Sequence, residues 1–376
     1  MSTKLLVTVL AVFIVKFNKC QATIDTSNIV KFDDFLINYD NCDSKDFKVR
    51  TEKYGYGSEV YEITTEDGYK LTIFRLKSSE KCEGDIKNIP VLLLHAAIFN
   101  GMSYTDQGPM SSIAYGLSDL CYDVWIINYR GTSYSRTHTT LSPADPKYWD
   151  FCLDELAKYD TKTFIDKVLS TTGKNKVNIV GHSEGGAIYL ALASTSKDYH
   201  DKIGVGITLE PSAYMYEKKN IFTIFIKIIN LVTANLSRFI TKILSFATGT
   251  NRCVFNNPPE PVTLKTLKRY AQHVEKNVFQ MYDYGSSREN QDKYGDDKPP
   301  QYDVSKITHP VAIVYGTIEG IVTKDNLITL KNKVGNLLMF RQVDDPNWGH
   351  PDYLVSDKIN TKVIPILKEA LEPYSN

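Results

Sequence analysis

The sequence carries no surplus of charge of either sign: 44 lysines and arginines stand against 44 aspartates and glutamates in 376 residues. Holding a phosphate backbone needs a basic excess, so a nucleic-acid or polyanion partner is disfavoured, and no acidic tail is present. Glycine and proline number only 21 and 15, and with 42% hydrophobic and 23% charged residues the composition excludes disorder, collagen and coiled coil. There is no Cys-x-x-Cys or His-rich spacing that would suggest zinc, and nothing implies another metal or a cofactor. No internal repeat is visible. What remains is an ordinary globular chain, long enough for one large domain or two, whose balanced charge suits a neutral or weakly polar substrate.

Residues 1–22 are expected to be a signal peptide rather than structure. Lys4 supplies a positive start, Leu5 to Val15 form an apolar run, and Cys20-Gln-Ala22 offers small residues around a cut placed after Ala22. The run is about half of the roughly 20 apolar residues a spanning helix needs, and Lys16 ends it. Secretion is therefore expected, with the lysosomal lumen as the alternative destination and no membrane span after cleavage. Of the six cysteines, Cys42, Cys82, Cys121, Cys152 and Cys253 remain, so at least one is unpaired or intermolecular. In a chain of this length they are expected to pack or decorate rather than to hold the fold together. Asn235-Leu-Ser237 is a glycosylation sequon, in keeping with export.

Past this segment, strands and helices alternate. Val60 to Phe74 alternates in character on both sides of Asp67-Gly68, which reads as a hairpin. Six short apolar, branched runs then resemble buried parallel strands: Val91–Leu94, Val124–Ile127, Val177–Val180, Val205–Leu209, Val311–Val314 and Leu337–Phe340. Helical stretches at Tyr159–Leu169, Gly186–Ala193, Lys324–Lys333 and Asp357–Leu371 fall between or after them, giving an α/β chain with a mostly parallel sheet and helices on both faces. One connection is anomalous, because roughly a hundred residues separate the Val205–Leu209 and Val311–Val314 runs, far more than a crossover requires. We therefore divide the chain into a core over residues 23–211 and 303–376 and an inserted helical cap over 212–302. Within the insertion, Ile221, Phe225, Ile228, Val232, Leu236, Phe239, Ile243 and Phe246 recur at helical steps, as core packing or as an apolar lid. Asn256-Asn-Pro-Pro-Glu-Pro261 and Lys298-Pro-Pro-Gln301 are turn-rich boundaries.

The chemistry is concentrated at three places. Gly181-His182-Ser183-Glu184-Gly185 lies directly after a buried strand and before a helix, the context a nucleophile elbow demands. Side chains at Gly181 or Gly185 would clash where strand and helix approach, while Ser183 is held strained with its hydroxyl presented as nucleophile. A serine needs an imidazole to take its proton and a carboxylate to orient that imidazole. His350, beyond the final strand in Trp348-Gly-His-Pro-Asp352, is the expected base; His95 and His182 belong to the turns, and His138, His200, His273 and His309 precede the acid's strand. Taking the acid from the loop after Val311–Val314 selects Glu319, with Asp325 in reserve at a helix start. The oxyanion hole is expected from the backbone N–H groups of Ala97, after the first buried strand, and of Glu184.

Further segments carry a family resemblance. Tyr54-Gly-Tyr-Gly-Ser-Glu59 through Glu66-Asp-Gly-Tyr-Lys-Leu71, Tyr122-Asp-Val-Trp125, Asn128-Tyr-Arg-Gly131, Asp154-Glu-Leu-Ala-Lys-Tyr-Asp160, Gly181-His-Ser-Glu-Gly185, Tyr282-Asp-Tyr-Gly285, Pro299-Pro-Gln-Tyr-Asp303 and His350-Pro-Asp-Tyr353 resemble, in order, the acid lipases: gastric and lysosomal lipases and their insect relatives. The resemblance runs from about residue 54 to the end. It implies an α/β-hydrolase fold with a cap, hydrolysing carboxylic esters of neutral lipids through Ser183 and His350. The chain departs from the family at three positions: His95-Ala-Ala97 replaces His-Gly-Leu, Glu184 replaces Gln, and Glu319 replaces Asp. Two functions follow as expectations. One is a secreted serine lipase or esterase working through an acyl-enzyme on Ser183; the other is a weak or inactive lipase-like carrier or yolk-type storage protein. A peptidase or thioesterase on the same scaffold is a third.

Overall fold

The computed structural model describes residues 45–216, 260–318 and 320–376. The signal segment, Cys42 and Cys253, the stretch from Asn220 to Thr248 with Asn235, the boundary turn before Glu260, and Glu319 lie outside the described residues.

The described chain begins with a short helix, α1 (Phe47–Lys53), whose N-cap Asp46 accepts a hydrogen bond from the Val49 N–H. The expected hairpin follows: β1 (Ser58–Thr64) pairs antiparallel with β2 (Tyr69–Leu76), Ser58 facing Leu76 at one end and Thr64 facing Lys70 at the other. Its turn closes through Gly68 at φ 95° and a Thr65 hydroxyl donating to Asp67 at 2.6 Å.

The remaining strands are β3 (Val91–Leu94), β4 (Val124–Asn128), β5 (Thr137–His138), β6 (Val177–His182), β7 (Ile203–Leu209), β8 (Val311–Tyr315) and β9 (Leu337–Gln342). They form one sheet in the order β1-β2-β4-β3-β6-β7-β8-β9, with β5 paired to β2. From β4 onward every pairing is parallel. Each of the six apolar runs is a strand, and several extend by one or two residues because main-chain pairing outlasts the hydrophobic pattern. Side chains alternate between faces as pleating requires. Leu92, Leu94, Trp125 and Ile127 enter one core, while Val91, Leu93, Val124 and Ile126 enter the other. Burying each such aliphatic side chain is worth about 1.5–3 kcal/mol, which explains why the central strands read as unbroken apolar runs.

Helices cover both faces. Onto the first core pack α3 (Lys162–Thr172), α4 (Glu184–Thr195) and α7 (Lys324–Lys333), through residues such as Phe164, Ile188 and Leu327. Onto the second pack α1, α2 (Ile113–Asp119) and α8 (Ile364–Leu371), through Phe47, Leu117 and Leu367. The helix expected over Tyr159–Leu169 starts within a π-turn at Leu156–Thr161 that runs into α3. The helix expected over Asp357–Leu371 is instead two pieces, Ile359–Lys362 and α8. Pro365 explains the break, since it lacks an N–H and is tolerated only in the first turn, where it stands in α8.

The described part of the insertion contributes α5 (Leu264–Glu275) and α6 (Ser287–Tyr294). Asp154 ties it to the core: its carboxylate accepts from the Tyr282 N–H at 2.8 Å and the Tyr302 hydroxyl at 2.7 Å, beside Arg269 at 3.5 Å.

Two cysteines do more than pack. Cys82 and Cys121 form a disulfide across a sequence separation of 39, fastening the loop after β2 to the entry of β4. Cys152 is free and buried. By chain entropy, closing a loop of that length stabilises the fold by about 4 kcal/mol. Replacing both Cys82 and Cys121 by alanine is expected to lower the unfolding free energy by about 2–4 kcal/mol in urea titrations. The bond lies at the β2 and β4 entry, away from the strand ends that carry Ser183 and His350, so the folded variant should keep its serine reactivity. An unchanged urea midpoint would show that the cross-link does not contribute.

Candidate active site

Strand β6 ends at His182 and α4 begins at Glu184, leaving Ser183 alone at the bend with φ 53°. That conformation is costly for a non-glycine residue and persists only where its surroundings determine it. Here they do so through the backbone. The Ser183 N–H donates to Leu209 O at 2.9 Å, and Ser183 O accepts from the Ser212 N–H at 3.1 Å, so both peptide groups of the serine are held by the end of β7 and the loop after it. The elbow also abuts β3: a Cβ on Gly185 would stand 2.2 Å from Leu94 O, so no other residue fits there.

Ser183 Oγ lies 2.9 Å from His350 Nε2. His350 Nδ1 lies 2.7 Å from a carboxylate oxygen, and that carboxylate belongs to Glu210. An ionised carboxylate only accepts, so Nδ1 carries the proton and Nε2 is free to accept from the Ser183 hydroxyl. All three groups are buried, with Glu210 3% exposed. This corrects the assignment of the acid to Glu319: the seat on His350 Nδ1 is filled by Glu210, at the end of β7, one strand nearer the nucleophile than the loop after β8 where the acid was sought. The chain order serine, acid, histidine is unchanged. Asp325 stands in the first turn of α7 behind the N-cap Thr323.

The loop after β8 supports the carboxylate from below. Gly316 N–H donates to Glu210 Oε1 at 2.6 Å, and Glu210 N–H donates to Val314 O at 2.9 Å. A Cβ at position 316 would stand 2.7 Å from Glu210 Oε1 and 2.5 Å from Trp348 O, so only glycine admits the carboxylate here. The Thr317 and Ile318 N–H groups both donate to Trp348 O, at 2.8 and 2.9 Å, which draws the His350 loop back over the sheet. Glu210 itself has φ 45°.

Ala97 follows β3 in the turn His95-Ala96-Ala97. His95 is pinned there, its Nδ1 2.9 Å from Ala96 O and its Nε2 accepting from the Tyr129 N–H at 3.2 Å, and burial lowers its pKa to about 4, keeping it neutral. The next residue, Ile98, adopts φ 63°, unusual for a β-branched side chain. Its carbonyl accepts from the Glu260 N–H at 2.9 Å. The Glu260 carboxylate in turn accepts from the Asn100 amide at 2.6 Å and the Ser133 N–H at 2.8 Å. No acceptor among the described residues takes the Ala97 or Glu184 N–H, and the first N–H of a helix is free by construction. The Glu184 side chain is buried, with Oε1 unpartnered among the described residues and a hydrogen bond to Tyr270. Burial pushes its carboxyl above the usual range, against the opposing pull of Tyr270 and Arg269, and so favours the uncharged form.

The other histidines serve elsewhere: His138 contacts Asp67 O at the hairpin, His200 contacts Ala193 O, His273 contacts Gln280 O, and His309 meets the Tyr189 hydroxyl at 2.7 Å. His182 is different, because its ring reaches the His350 loop, with Nε2 3.0 Å from His350 O. Glu210 and His182 are the site residues whose part sequence reasoning missed. The signal for Glu210 was present: a carboxylate directly after a fully buried run, on the strand beside the nucleophile's. Among the described residues no cluster of histidine, cysteine and carboxylate groups is arranged to hold a metal, and no helix is long and apolar enough to cross a membrane.

Comparison with known proteins places this geometry. A family model described as the alpha/beta hydrolase fold matches residues 89–357, and one described as a partial alpha/beta-hydrolase lipase region matches residues 47–105. The chain is 31% identical to Lipase 1 of Drosophila melanogaster over 80% of its own length and 74% of that protein's. It is 30% identical to Lipase member N of Mus musculus, over 84% of this chain and 88% of that one. With human gastric triacylglycerol lipase the identity is 28%, over 80% and 84%. Among solved structures, a soluble variant of monoglyceride lipase from Saccharomyces cerevisiae superposes with a TM-score of 0.55 at 16% identity, covering 85% of this chain and 96% of that one, a likeness of fold. On the combined weight of these matches, the chain belongs to the α/β-hydrolase superfamily and, within it, to the acid lipase family of gastric lipase and its relatives.

Proposed function

We propose that the protein is a serine lipase or esterase that hydrolyses carboxylic ester bonds of neutral lipids through an acyl-enzyme on Ser183. The observation that carries this reading is the unbroken chain of hydrogen-bond distances from Ser183 through His350 to Glu210, 2.9 and 2.7 Å. The relatives named as lipases support the substrate class.

In this reading the Ser183 hydroxyl attacks the ester carbonyl while His350 Nε2 takes its proton. Glu210 holds Nδ1–H and stabilises the imidazolium that forms. Negative charge on the carbonyl oxygen is met by the N–H groups of Ala97 and Glu184, and one such donor contributes about 3 kcal/mol to the transition state. Burial, by raising the Glu184 pKa, lessens the opposition of its side chain to that charge. His350 then returns the proton to the leaving alcohol, and water activated by the same imidazole releases the acid. The insertion, residues 212–302, walls the acyl-binding side in this reading, where apolar burial supplies binding at about 25 cal/mol per Å² without charge. Export is supported by the leader-like segment at residues 1–22 and by the disulfide, a bond typical of oxidising compartments.

An intact relay favours the enzyme over a non-catalytic carrier, and the two are separated by labelling with a fluorophosphonate. The wild-type protein is expected to be labelled and Ser183→Ala not; a wild-type protein that stays unlabelled overturns the enzyme reading.

The identity of the acid is tested on short-chain nitrophenyl esters. Glu210→Ala is expected to lower kcat on the order of 10³-fold or more, as removal of a triad acid does in other serine hydrolases. Glu210→Asp should recover part of that loss, and Glu319→Ala should change kcat by less than about threefold. The reverse ranking of Glu210→Ala and Glu319→Ala would return the acid to the loop after β8.

A further inference from the structure

We propose that His182, the residue before the nucleophile, is a positioning residue that fixes the backbone of the catalytic histidine by donating a hydrogen bond to its carbonyl. The inference rests on the serine-hydrolase reading and adds a part to it. His182 is 1% exposed, and its Nε2 stands 3.0 Å from His350 O. A carbonyl oxygen only accepts, so the proton is on Nε2. Nδ1 has no partner among the described residues. Among the described residues no main-chain N–H bonds His350 O, so the imidazole satisfies a buried acceptor that is otherwise orphaned.

The geometry ties two triad members through one side chain. His182 is covalently next to Ser183, and its ring lies 4.9 Å from the His350 ring at a 39° tilt, with Tyr353 5.4 Å away. A shift of the His350 loop relative to the elbow would have to break this bond, whereas the contacts of Trp348 O fix the loop only to the β8 turn. A neutral donor is required, because His350 becomes positive during attack and a second charge at this distance would oppose it. The burial of His182 and the presence of His350 beside it both disfavour its protonation. The aromatic groups beside the ring are His350 and Tyr353.

The test compares His182→Phe, which keeps the ring's volume and removes its N–H, with His182→Gln, whose amide nitrogen falls near the position of Nε2. Rates are normalised to reactive sites titrated with fluorophosphonate, so unfolded material does not count. His182→Phe is expected to lose about 10- to 100-fold in both labelling rate and kcat with KM within twofold, the pattern of a misplaced reacting group. His182→Gln should regain at least about tenfold of any loss at the upper end. A His182→Phe protein within twofold of wild type in kcat, or a His182→Gln protein no better than it, overturns the proposal. For the case in which His182→Phe does not fold, the imidazole nitrogen resonances of the wild-type protein decide: His182 is expected as the neutral Nε2–H form, and an Nδ1–H form overturns the assignment. A wild-type protein that is not labelled at all sinks the serine-hydrolase reading itself, which is a different result.

Discussion

The site depends on the clamp around the peptide groups of Ser183. A serine at φ 53° is not a conformation the chain would hold by itself, and besides the Ala187 N–H of its own helix it is held by Leu209 O and the Ser212 N–H, from the end of β7 and the loop that follows. That loop therefore has two tasks. It enforces the strained bend that presents the hydroxyl, and between its two clamping residues it carries Glu210. Nucleophile and acid are thus fixed to one another by backbone bonds before any side chain is considered, which leaves the histidine loop as the part that must be brought in.

Seen this way, an acid on β7 is mechanically reasonable. The carboxylate needs to reach His350 Nδ1, and strands side by side in a parallel sheet end at the same rim, about 4.8 Å apart. A glutamate on the inner strand covers much of the distance that a residue on the next strand would cover from the other side. What the next strand supplies instead is the Gly316 N–H on the carboxylate's second oxygen and a gap where a Cβ would otherwise stand. The loop after β8 has become a support for a carboxylate that arrives from its neighbour, and His350 receives the same chemistry from it.

This also explains which parts of the molecule were legible in the sequence. The hairpin around Asp67-Gly68 and all six parallel strands could be read, because turn chemistry and unbroken apolar runs are local properties. Ser183 and His350, which stand 2.9 Å apart, could be singled out because the elbow's glycines and the position beyond the last strand are local too. The acid could not be read from an expected loop, since Glu210 and Glu319 both follow a strand of the same sheet and only the tertiary meeting with His350 separates them. The split at Pro365 was visible as a residue, yet the spacing of apolar positions on either side masked it. The disulfide was not readable, since the partners of Cys82 are a matter of distance rather than pattern. His182 escaped notice because a buried histidine in a strand has a packing explanation until its Nε2 is seen to face a carbonyl.

Strain at the rim of the sheet follows a pattern that bears on the oxyanion turn. Among the described residues, the non-glycine positions with positive φ are Ile98, Cys121, Ser183 and Glu210. Cys121 is held by a disulfide, and Ser183 and Glu210 are the two residues whose side chains meet the His350 ring. Ile98 is the remaining one, directly after Ala97, and a β-branched residue pays more for this conformation than most. What opposes that cost is Glu260: its N–H takes Ile98 O while its carboxylate binds Asn100 and Ser133 on the neighbouring loops. The turn that carries His95-Ala-Ala97 is thus under the conformational control of these bonds. Glu260, the residue at their centre, belongs to the inserted segment, so the network joins that segment to the turn after β3.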